Sequence, residues 1–543
     1  MKNLVLLLVL AIAVVAVFGI GYHLRSAEMV QPVQQASVAF NSRTGSGADM
    51  VTARPPASSS FLPAAVAAES DPPAPSDSSG SSESDADRQI DDLLNSDSPA
   101  ATFQQVYLLL KDQFVDNIDS DDPLAHGAAS AMLASLDEPN SRFVDSDERS
   151  ALEQQASGLF EGTGAVFTVR VVKRNGSLVD RQITVIDSIP GSPADKAGLK
   201  TGDVVTTIDG HWVVSYDPFQ AQADQFKKLA NDPFDLDAAV DATEKKITDG
   251  FTLDKAQSLL DTTVGSPLRL TIQRPGEPKP FDVILDVSVP TQVKDIEFRK
   301  LDDGNGYIAF NAITDSTATD FQSAMSQLGD VKGMVIDLRD CPGGQLDPAI
   351  QICQALAPDQ PIGEIVVRSV PSDDAAAGAP VQTRTRQLDS ASGLALSGLS
   401  FHGPISVLVD RGTANSAELL AAFLHDHVGA RIVGTSTFGD GLAQTLFPLG
   451  DGSAFTLTTG VLKTDDGIAF NQSGLAPEYA LTDPGHAGDG DTDAGMTKAL
   501  ELLALGPITP DVAGQHPIQA AALPAGAETQ VAFGTVQDGG SSE

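Results

Sequence analysis

The pattern of hydrophobic and polar positions divides the chain into segments of several kinds. Residues 4–22 contain no charged side chain, and a helix needs about 20 such residues to cross a bilayer. We therefore predict that residues 1–26 form an uncleaved N-terminal anchor, with a removed signal peptide as the alternative. Lys2 would stay in the cytoplasm, so both interpretations export the body of the protein to the cell envelope, in the periplasm or another extracytoplasmic space. The anchor would hold it at the inner membrane.

Two segments lack the apolar positions that a folded core requires. Residues 27–87 are rich in Ser, Ala, Pro and Asp, with "DPPAPSDSSGSSESDAD" as their core. Such a composition cannot offset the entropy of ordering the chain, so we predict a disordered linker that holds the folded part away from the membrane. The Ala- and Gly-rich residues 506–543 are predicted to form a disordered tail.

A helical region is predicted for residues 88–151. The run "FQQVYLLLKDQFVD" places apolar side chains on one helix face, at Phe103, Val106, Tyr107, Leu110 and Phe114. A second helix is predicted in "DPLAHGAASAMLASL", and the following "DEPN" ends it in a turn.

Residues 152–290 show the short alternating runs of a smaller, β-rich domain. Residues 166–172 and 183–186 are typical of strands, and "LRLTIQRPG" alternates like a strand that ends in a turn. Residues 214–249 interrupt this pattern with a polar stretch of helical character, which we interpret as a surface insertion.

Buried strands alternate with helices in residues 291–505. The segments "KGMVIDLRDCPGG", "GPISVLVDRGTANSAELLAAFLHDH" and "ARIVGTSTF" each contain an apolar strand, and the first two run through a turn into a helix. This alternation predicts an α/β domain with a largely parallel sheet, in a chain that is mixed α+β overall. Functional sites in such sheets lie at the carboxyl ends of the strands.

Charge and cysteine content narrow the classes of partner. The chain has 73 acidic and 34 basic residues and a formal net charge of −39. Phosphate backbones repel such a surface, which argues against nucleic acid as a partner.

Cys341 and Cys353 match no zinc pattern. Two buried free thiols are favoured, and a single disulfide in an oxidising compartment is the alternative.

The remaining candidate ligand groups give weak signals. His425 and His427 lie two residues apart near a helix end, where they do not share a face, so surface histidines are favoured over a metal site. The run "GDGDTDAG" at residues 488–495 resembles part of a calcium loop but lacks the full ligand series with its closing glutamate. The sequence therefore predicts no metal site and no cofactor.

The run "SIPGSPADKAGLKTGDVVTTIDG" at residues 188–210 resembles the PDZ domains of bacterial periplasmic proteases. The resemblance places a carboxylate-binding loop at Gly162, Thr163, Gly164 and Ala165, with Thr163 where the family usually has an apolar residue. Backbone N–H groups in such a loop bind a peptide's terminal carboxylate, while the peptide adds a strand to the sheet edge. Polypeptide C-terminal tails are the implied partners, and a PDZ fold that binds nothing is the alternative.

Further motifs follow in the order found in one peptidase family. The segments "AMLASLDEPNSRFV", "VIDLRDCPGG" and "GLAPE" match that family's "GML-x-SLDPHS", "LDLR-x-NPGG" and "GI-x-PD", with Cys341 in place of the usual asparagine. Over residues 103–479 the chain resembles the carboxyl-terminal processing proteases, the tail-specific serine peptidases. The resemblance implies a ClpP/crotonase-like α/β core with an inserted PDZ domain. In that family a serine attacks the peptide carbonyl, a neutral lysine accepts its proton and a glutamine orients the lysine, while backbone N–H groups hold the oxyanion.

The family's catalytic motifs are present here with two substitutions. Its "T-A-S-A-S-E" and "T-F-G-K-G-x-x-Q" correspond to "TANSAE" and "TFGDGLAQ" in this chain. By this resemblance Asn415 takes the nucleophile position, Asp440 takes the general-base position, and Gln444 keeps the glutamine position. Gly343 and Gly344 keep the oxyanion turn. An amide is not a nucleophile, and a carboxylate of ordinary pKa, about 3.9, is a weak base at neutral pH.

Three hypotheses account for these substitutions. The favoured one is an exported, membrane-tethered pseudopeptidase that binds polypeptide tails, with self-association left open. The second is an active serine endopeptidase with Ser416 as a displaced nucleophile. Successive helix residues turn by about 100°, so Ser416 is expected to point away from the site as an ordinary helix-start serine. The third hypothesis is removal of the active site by engineering.

Overall fold

The computed structural model describes residues 99–136, 138–174, 178–213, 233–262, 265–287, 290–369, 383–388, 396, 401–486, 493–506 and 518–521. The predicted anchor and linker, residues 1–26 and 27–87, lie outside these ranges. Within the described ranges, no helix combines the length and the apolar character that crossing a bilayer requires.

The N-terminal region is largely helical, as the sequence predicts. Its elements are α1 (Pro99–Gln113), α2 (Asp122–Ala134), β1 (Arg142–Val144), α3 (Ser146–Ala156) and β2 (Leu159–Phe160). The Asp145 carboxylate caps α3 because it accepts the N–H groups of Asp147 and Glu148. The apolar side chains of α1 are mostly exposed, among them Phe103 and Leu109, and Phe114 just after the helix is exposed as well.

The second region is an antiparallel β-sheet with helices packed on it. Its elements are β3 (Ala165–Arg174), β4 (Leu178–Ser188), α4 (Pro193–Ala197), β5 (Val204–Ile208), β6 (His211–Trp212), α5 (Pro233–Thr248), α6 (Leu253–Thr262), β7 (Leu268–Gln273), β8 (Phe281–Leu285) and β9 (Thr291–Gln292). The sheet order is β3-β4-β5-β7-β8, with β6 paired to β5, so β3 is an edge strand. Its core contains Ile183, Leu260 and Leu270. Helix α5 lies in the predicted insertion.

The third region is the predicted α/β domain. Its elements are β10 (Ile296–Lys300), β11 (Gly306–Phe310), α7 (Thr317–Leu328), β12 (Met334–Asp337), α8 (Leu346–Leu356), β13 (Glu364–Arg368), β14 (Thr383–Gln387), β15 (Ile405–Val409), α9 (Ser416–Val428), β16 (Arg431–Gly434), β17 (Leu442–Pro448), β18 (Ala454–Lys463), β19 (Leu475–Ala476), β20 (Tyr479–Ala480), α10 (Ala494–Leu503) and β21 (Gln519–Ala520). The main sheet has the order β10-β11-β12-β15-β16-β20. It is parallel from β11 to β20, and β10 is antiparallel.

A second sheet joins the first and third regions. Its order is β1-β18-β13-β14, with β17 also paired to β18, so Arg142, Phe143 and Val144 form one of its strands. Helices α7, α8 and α9 pack on one face of the main sheet, where Phe310, Phe321 and Phe423 are almost fully buried.

The parallel sheet brings two loops together at its carboxyl edge. Strands β12 and β15 are neighbours, with Asp337 opposite Leu408. The loop after β12 therefore lies beside the loop after β15, although their sequences are far apart. This edge holds the candidate active site, as expected for a parallel sheet.

The C-terminal tail departs from the prediction of disorder over residues 506–543. Strand β21 pairs antiparallel with β19, and Ala521 donates its N–H to the Gly474 carbonyl at 2.9 Å. Ile518 is buried in the core of the α/β domain. This short apolar run therefore makes backbone hydrogen bonds with β19 and a contact with the core. The overall composition of the tail, dominated by Ala and Gly, does not predict either interaction.

Candidate active site

The nucleophile position lies on a sharp turn between β15 and α9. Asn415 has φ 50° and ψ −120°, a conformation that asparagine tolerates better than most side chains. It is the N-cap of α9: its Oδ1 accepts the Ser416 N–H at 2.9 Å, and its own N–H is accepted by Glu418 Oε2 at 3.0 Å. The turn at the nucleophile position is therefore formed and held by hydrogen bonds, and the side chain at its tip is the Asn415 amide.

The Asn415 side chain faces the general-base position. Its Nδ2 donates to the Leu442 carbonyl at 2.9 Å and to the Asp440 carbonyl at 3.2 Å. A longer contact of 3.5 Å reaches Asp440 Oδ2. The structure thus brings Asn415 and Asp440 together, as the motif alignment predicts. Both Nδ2 donors have backbone acceptors, so the amide acts here as a hydrogen-bonding group.

The environment of position 440 favours the uncharged form of an ionisable side chain. Burial raises the pKa of Asp440 to about 6, and the positive charge of Arg170 opposes that shift. The Arg170 guanidinium lies 3.9 Å from the centre of the Phe438 ring and donates to the Phe438 carbonyl. A lysine at this position would be buried beside a cation, and both effects would lower its pKa. The site therefore retains an environment that would suit a neutral lysine base.

Glu418 ties the two motif loops together. One carboxylate oxygen accepts the Thr437 hydroxyl and the Gly439 N–H, and the other accepts the N–H groups of Asn415 and Asp440. Burial raises the pKa of Glu418 to about 8, against the lowering effect of these donors. The motif glutamate thus positions both substituted residues.

Ser416 is placed where it cannot act as a nucleophile in this conformation. It is fully buried, and its Oγ has no hydrogen-bond partner among the residues that the structure describes. It directly follows Asn415 in α9, so its side chain projects into the domain interior rather than toward Asp440. This placement agrees with the helix-turn argument from the sequence.

The glycine turn after β12 packs directly against the nucleophile loop. Gly343 and Gly344 have φ 76° and 133°. A Cβ on Gly343 would lie 2.4 Å from the Ala414 carbonyl oxygen, and one on Gly344 would lie 2.3 Å from that of Ile313. Only glycine fits these positions. The Gly343 N–H bonds the Cys341 thiol, whose pKa burial raises to about 12.

Gln444 takes a different role from the one that the family resemblance implies. It lies in β17 beside a bulge, it is exposed, and its Nε2 donates to Thr458 Oγ1 at 3.3 Å. The structure gives its amide no hydrogen bond to Asp440. A carboxylate at position 440 needs no orienting acceptor, which explains why this amide pairs with the neighbouring strand instead.

The predicted carboxylate-binding loop packs against the end of α6. A Cβ on Gly162 would lie 2.6 Å from the Leu260 carbonyl oxygen, and Thr163 donates its N–H to that same carbonyl at 3.1 Å. Thr163 Oγ1 also accepts the Ala165 N–H at 3.3 Å. A peptide carboxylate would therefore compete with Thr163 for a loop donor, a competition that the usual apolar residue would not create.

The edge of β3 is partly covered by Asn140, a residue that the sequence analysis did not single out. Asn140 Oδ1 accepts the Val169 N–H at 2.9 Å and the Thr168 hydroxyl at 3.3 Å. Its Nδ2 makes a longer contact of 3.4 Å with the Val169 carbonyl. The Val169 N–H and carbonyl are backbone groups that an added peptide strand would use. No local sequence signal marks this contact, because Asn140 and β3 are brought together by the fold.

A cavity of about 290 Å³ joins this strand edge to the candidate active site. Its lining includes Asn140, Val169, Arg170, Phe438, Asp440 and Leu442. A chain bound along β3 would thus have a path toward position 440. Arg170 was also missed by the sequence analysis, since a strand arginine has no recognisable spacing to the motif it contacts.

The other candidate groups do not join this site. Cys341 and Cys353 are both buried free thiols, as the favoured interpretation predicts. His425 Nδ1 lies 2.7 Å from Asp426, whereas His427 Nε2 lies 3.4 Å from Asp465. The two histidines therefore pair with different acids. Part of the calcium-like run, residues 488–492, lies outside the described residues.

Known proteins resemble this chain in sequence. Residues 304–481 match the model of peptidase family S41, and residues 184–222 match a PDZ domain model. A carboxy-terminal-processing protease of Bartonella bacilliformis is 29% identical over 392 residues, which span 71% of this chain and 75% of that protein. The carboxy-terminal processing protease CtpA of Bacillus subtilis is 26% identical over 427 residues, or 76% and 77% of the two chains.

A solved structure resembles the chain as well. The photosystem II D1 C-terminal processing protease has 23% sequence identity and a TM-score of 0.46, over 73% of this chain and 91% of that one. The family matches confirm the resemblance predicted from the motifs. The more specific comparison with ClpP and crotonase stays a prediction.

Proposed function

Residues 304–481 form a peptidase family S41 domain and residues 184–222 belong to a PDZ domain, and from this premise we propose that the chain is a peptide-binding pseudopeptidase. It captures the C-terminal tails of polypeptides and does not cleave them. It acts outside the cytoplasm, held at the inner membrane by residues 1–26. Capture without cleavage would make it an adaptor, or a competitor of an active relative.

The observation that carries the proposal is the pairing of Asn415 with Asp440. Covalent peptidase chemistry needs a nucleophile whose proton passes to a nearby base. Asn415 offers an amide whose Nδ2 hydrogens are held by the carbonyls of Asp440 and Leu442. Asp440 sits beside Arg170, whose charge favours the ionised carboxylate. The two side chains support each other as hydrogen-bonding partners, with no group able to attack a carbonyl carbon.

The burial of Ser416 argues against the alternative enzyme. A displaced nucleophile must reach the substrate carbonyl, yet Ser416 is fully buried. Bringing it to the surface would require α9 to rotate or unwind at its first turn. That turn is held by the contacts between Glu418 and the backbone of Asn415 and Asp440.

The edge strand and the cavity support peptide capture. Strand β3 has one unpaired edge in the sheet, and an extended peptide can add to such an edge through main-chain hydrogen bonds. The loop at Gly162–Ala165 lies at the start of this strand, where its N–H groups would bind the terminal carboxylate of an added peptide. The cavity then leads toward Asp440, so a chain bound along β3 would extend toward the Asn415 and Asp440 pair.

The test combines cleavage and binding measurements on the purified full chain. An unfolded substrate with an apolar carboxyl terminus is incubated with the native protein and with Ser416→Ala, and the products are followed by mass spectrometry. The native chain is expected to release no peptides. Cleavage that disappears in Ser416→Ala would overturn the proposal and identify Ser416 as the nucleophile.

A gain-of-function variant tests whether the peptidase body is intact. Asn415→Ser/Asp440→Lys restores a serine and a lysine, and Arg170 together with burial would lower the pKa of the new lysine toward the range of a general base. We expect cleavage at least about two orders of magnitude faster than with the matched control Asn415→Ala/Asp440→Lys, because a nucleophile and its base act as a unit. Equal rates would show that other parts of the machinery are also lost.

Binding is measured separately, with a fluorescent peptide that ends in a free carboxylate and with the same peptide amidated. The native chain is expected to bind the free carboxylate form at least about tenfold more tightly. Equal affinity for the two peptides would exclude capture of C-termini, even if the chain proves inactive as a peptidase.

A further inference from the structure

A second group of ionisable side chains lies at the carboxyl edge of the main sheet, on the far side of the motif loops. Asp340 follows β12, Asp410 follows β15, and His486 follows β20 along the chain. The nearest ligand atoms of the three residues all lie within 4.8 Å of one another. His486 Nδ1 is 3.0 Å from Asp340 Oδ2. The sequence analysis missed this group because its members are brought together only by the order of the parallel strands.

The backbone holds the two carboxylates in place. Asp340 has φ 52°, and its N–H donates to Asp410 Oδ1 at 3.0 Å. The same oxygen accepts the Gly412 N–H at 2.9 Å. The two carboxyl groups are close enough to share a hydrogen bond.

A third carboxylate provides an independent sign of a missing ligand. Asp187, at the end of β4, is 6% exposed, and its Oδ2 has no hydrogen-bond partner among the described residues. Its neighbour Ile186 packs on Ala414 of the nucleophile loop. Asp187 lies within electrostatic range of Asp340 and Asp410. A buried carboxylate oxygen without a donor is costly unless a cation satisfies it.

Neighbouring cations do not fill this role. Arg339 adjoins Asp340 in the chain, but its guanidinium is bound by the carboxylates of Asp337 and Asp493 and by the Pro484 carbonyl. The ion pair with His486 accounts for one oxygen of Asp340, and it leaves Asp187 Oδ2 unsatisfied. A single bound cation would neutralise the group and give that oxygen a partner.

From this geometry we propose that Asp340, Asp410 and His486 bind a divalent metal ion of the zinc class, with Asp187 beside the ion as a further ligand or as an acceptor for its bound water. Two carboxylate oxygens and one imidazole nitrogen are a typical donor set for Zn²⁺, at about 2.0–2.2 Å from each atom. Ligand atoms of a tetrahedral zinc ion then lie about 3.3 Å apart, so side-chain rotations suffice to close the group. Calcium and magnesium prefer ligand sets made of oxygen alone.

The location gives the ion a structural role that does not depend on the proposed function. Asp340 immediately precedes the turn that contains Gly343 and Gly344, and Asp410 opens the loop that ends at Asn415. An ion held by both aspartates would fasten these two loops to each other. It would thereby set the distance between the oxyanion turn and the nucleophile position, whether or not the chain cleaves peptides.

The test measures Zn²⁺ binding to the purified full chain, first stripped with a chelator. Isothermal titration and native mass spectrometry are expected to show one strongly bound Zn²⁺ per chain. His486→Ala removes an exposed ligand that the core does not need, and it should weaken binding at least about tenfold. Asp410→Asn should weaken binding similarly. The matched control is His126→Ala, because His126 forms a comparable surface pair with Asp451 at 2.9 Å, and this variant should bind like the native chain.

Hydrogen exchange provides a second readout. Zn²⁺ should slow exchange in residues 340–344 and 410–415 of the native chain and leave the same residues unchanged in His486→Ala. Three results would each overturn the proposal: no stoichiometric Zn²⁺, equal affinity of His486→Ala and the native chain, or tighter binding of Ca²⁺ than of Zn²⁺.

Discussion

Replacing Asn140 by alanine should make the PDZ edge strand a better peptide acceptor. Asn140 Oδ1 accepts the Val169 N–H at 2.9 Å and the Thr168 hydroxyl at 3.3 Å. A peptide that extends along β3 must displace these contacts before it can bond the Val169 backbone. Asn140 is therefore an internal competitor, and its removal frees the strand edge.

The magnitude follows from the two hydrogen bonds. Each contributes about 1 kcal/mol net in a folded protein, so the competition amounts to about 1–2 kcal/mol. Since 1.4 kcal/mol corresponds to tenfold in affinity, Asn140→Ala should lower the peptide Kd about 5- to 30-fold. The backbone contact of this segment with β18, where the Asn140 carbonyl accepts the Thr456 hydroxyl at 3.1 Å, is unaffected by the substitution.

The assay is fluorescence anisotropy with a labelled peptide about ten residues long that ends in a free carboxylate. Asn140→Asp is the matched control because it keeps an acceptor for the Val169 N–H, so its Kd should stay close to that of the native chain. An unchanged Kd in Asn140→Ala, or an equal gain in both variants, would refute the competition. Tighter binding of the amidated peptide would show that the gain does not arise from the carboxylate-directed groove.

Two further predictions concern stability. Arg339→Met leaves the carboxylates of Asp337 and Asp493 buried without their common cation, and it should lower the free energy of unfolding by about 3–5 kcal/mol in urea denaturation; a loss below 1 kcal/mol would contradict this account. Burial raises the pKa of Glu418 to about 8 and that of Asp440 to about 6, so their protonated forms are favoured by the fold. The stabilisation that these two protonated groups contribute is complete below about pH 4 and is lost as the pH rises to about 8. Over this range the free energy of unfolding falls by at most about 1.4 kcal/mol per pH unit for each proton. Glu418→Gln should flatten the dependence of Tm on pH over this range, and an unchanged profile would show that Glu418 does not contribute to it.

The chemistry of the candidate site could be predicted from the sequence in large part. The family motifs place an amide at position 415 and a carboxylate at position 440, and the structure brings the two side chains into contact. The glycines at 343 and 344 could be identified from the family motif, and the structure shows that close backbone approach admits no side chain there. These predictions succeed because each motif is short and its local backbone follows from its own residues.

The contacts that regulate or complete the site could not be predicted in this way. Asn140 on β3, Arg170 against Phe438, and the approach of Asp187 to Asp340 each join residues from different regions of the chain. Helical periodicity also did not predict that Phe103 on α1 and Phe114 just after it would remain exposed, because exposure depends on what packs against the helix.

The sequence by itself determined the order of domains, the alternation of strands and helices, and the side chains present at positions 415 and 440. It did so because periodicity, glycine turns and side-chain chemistry are local properties. Only the tertiary structure decided that Ser416 is buried, that Gln444 turns to Thr458, and that the edge of β3 is already partly occupied. Those outcomes depend on which strands are neighbours and on which face of a helix meets the core, and both are settled by packing over the whole domain.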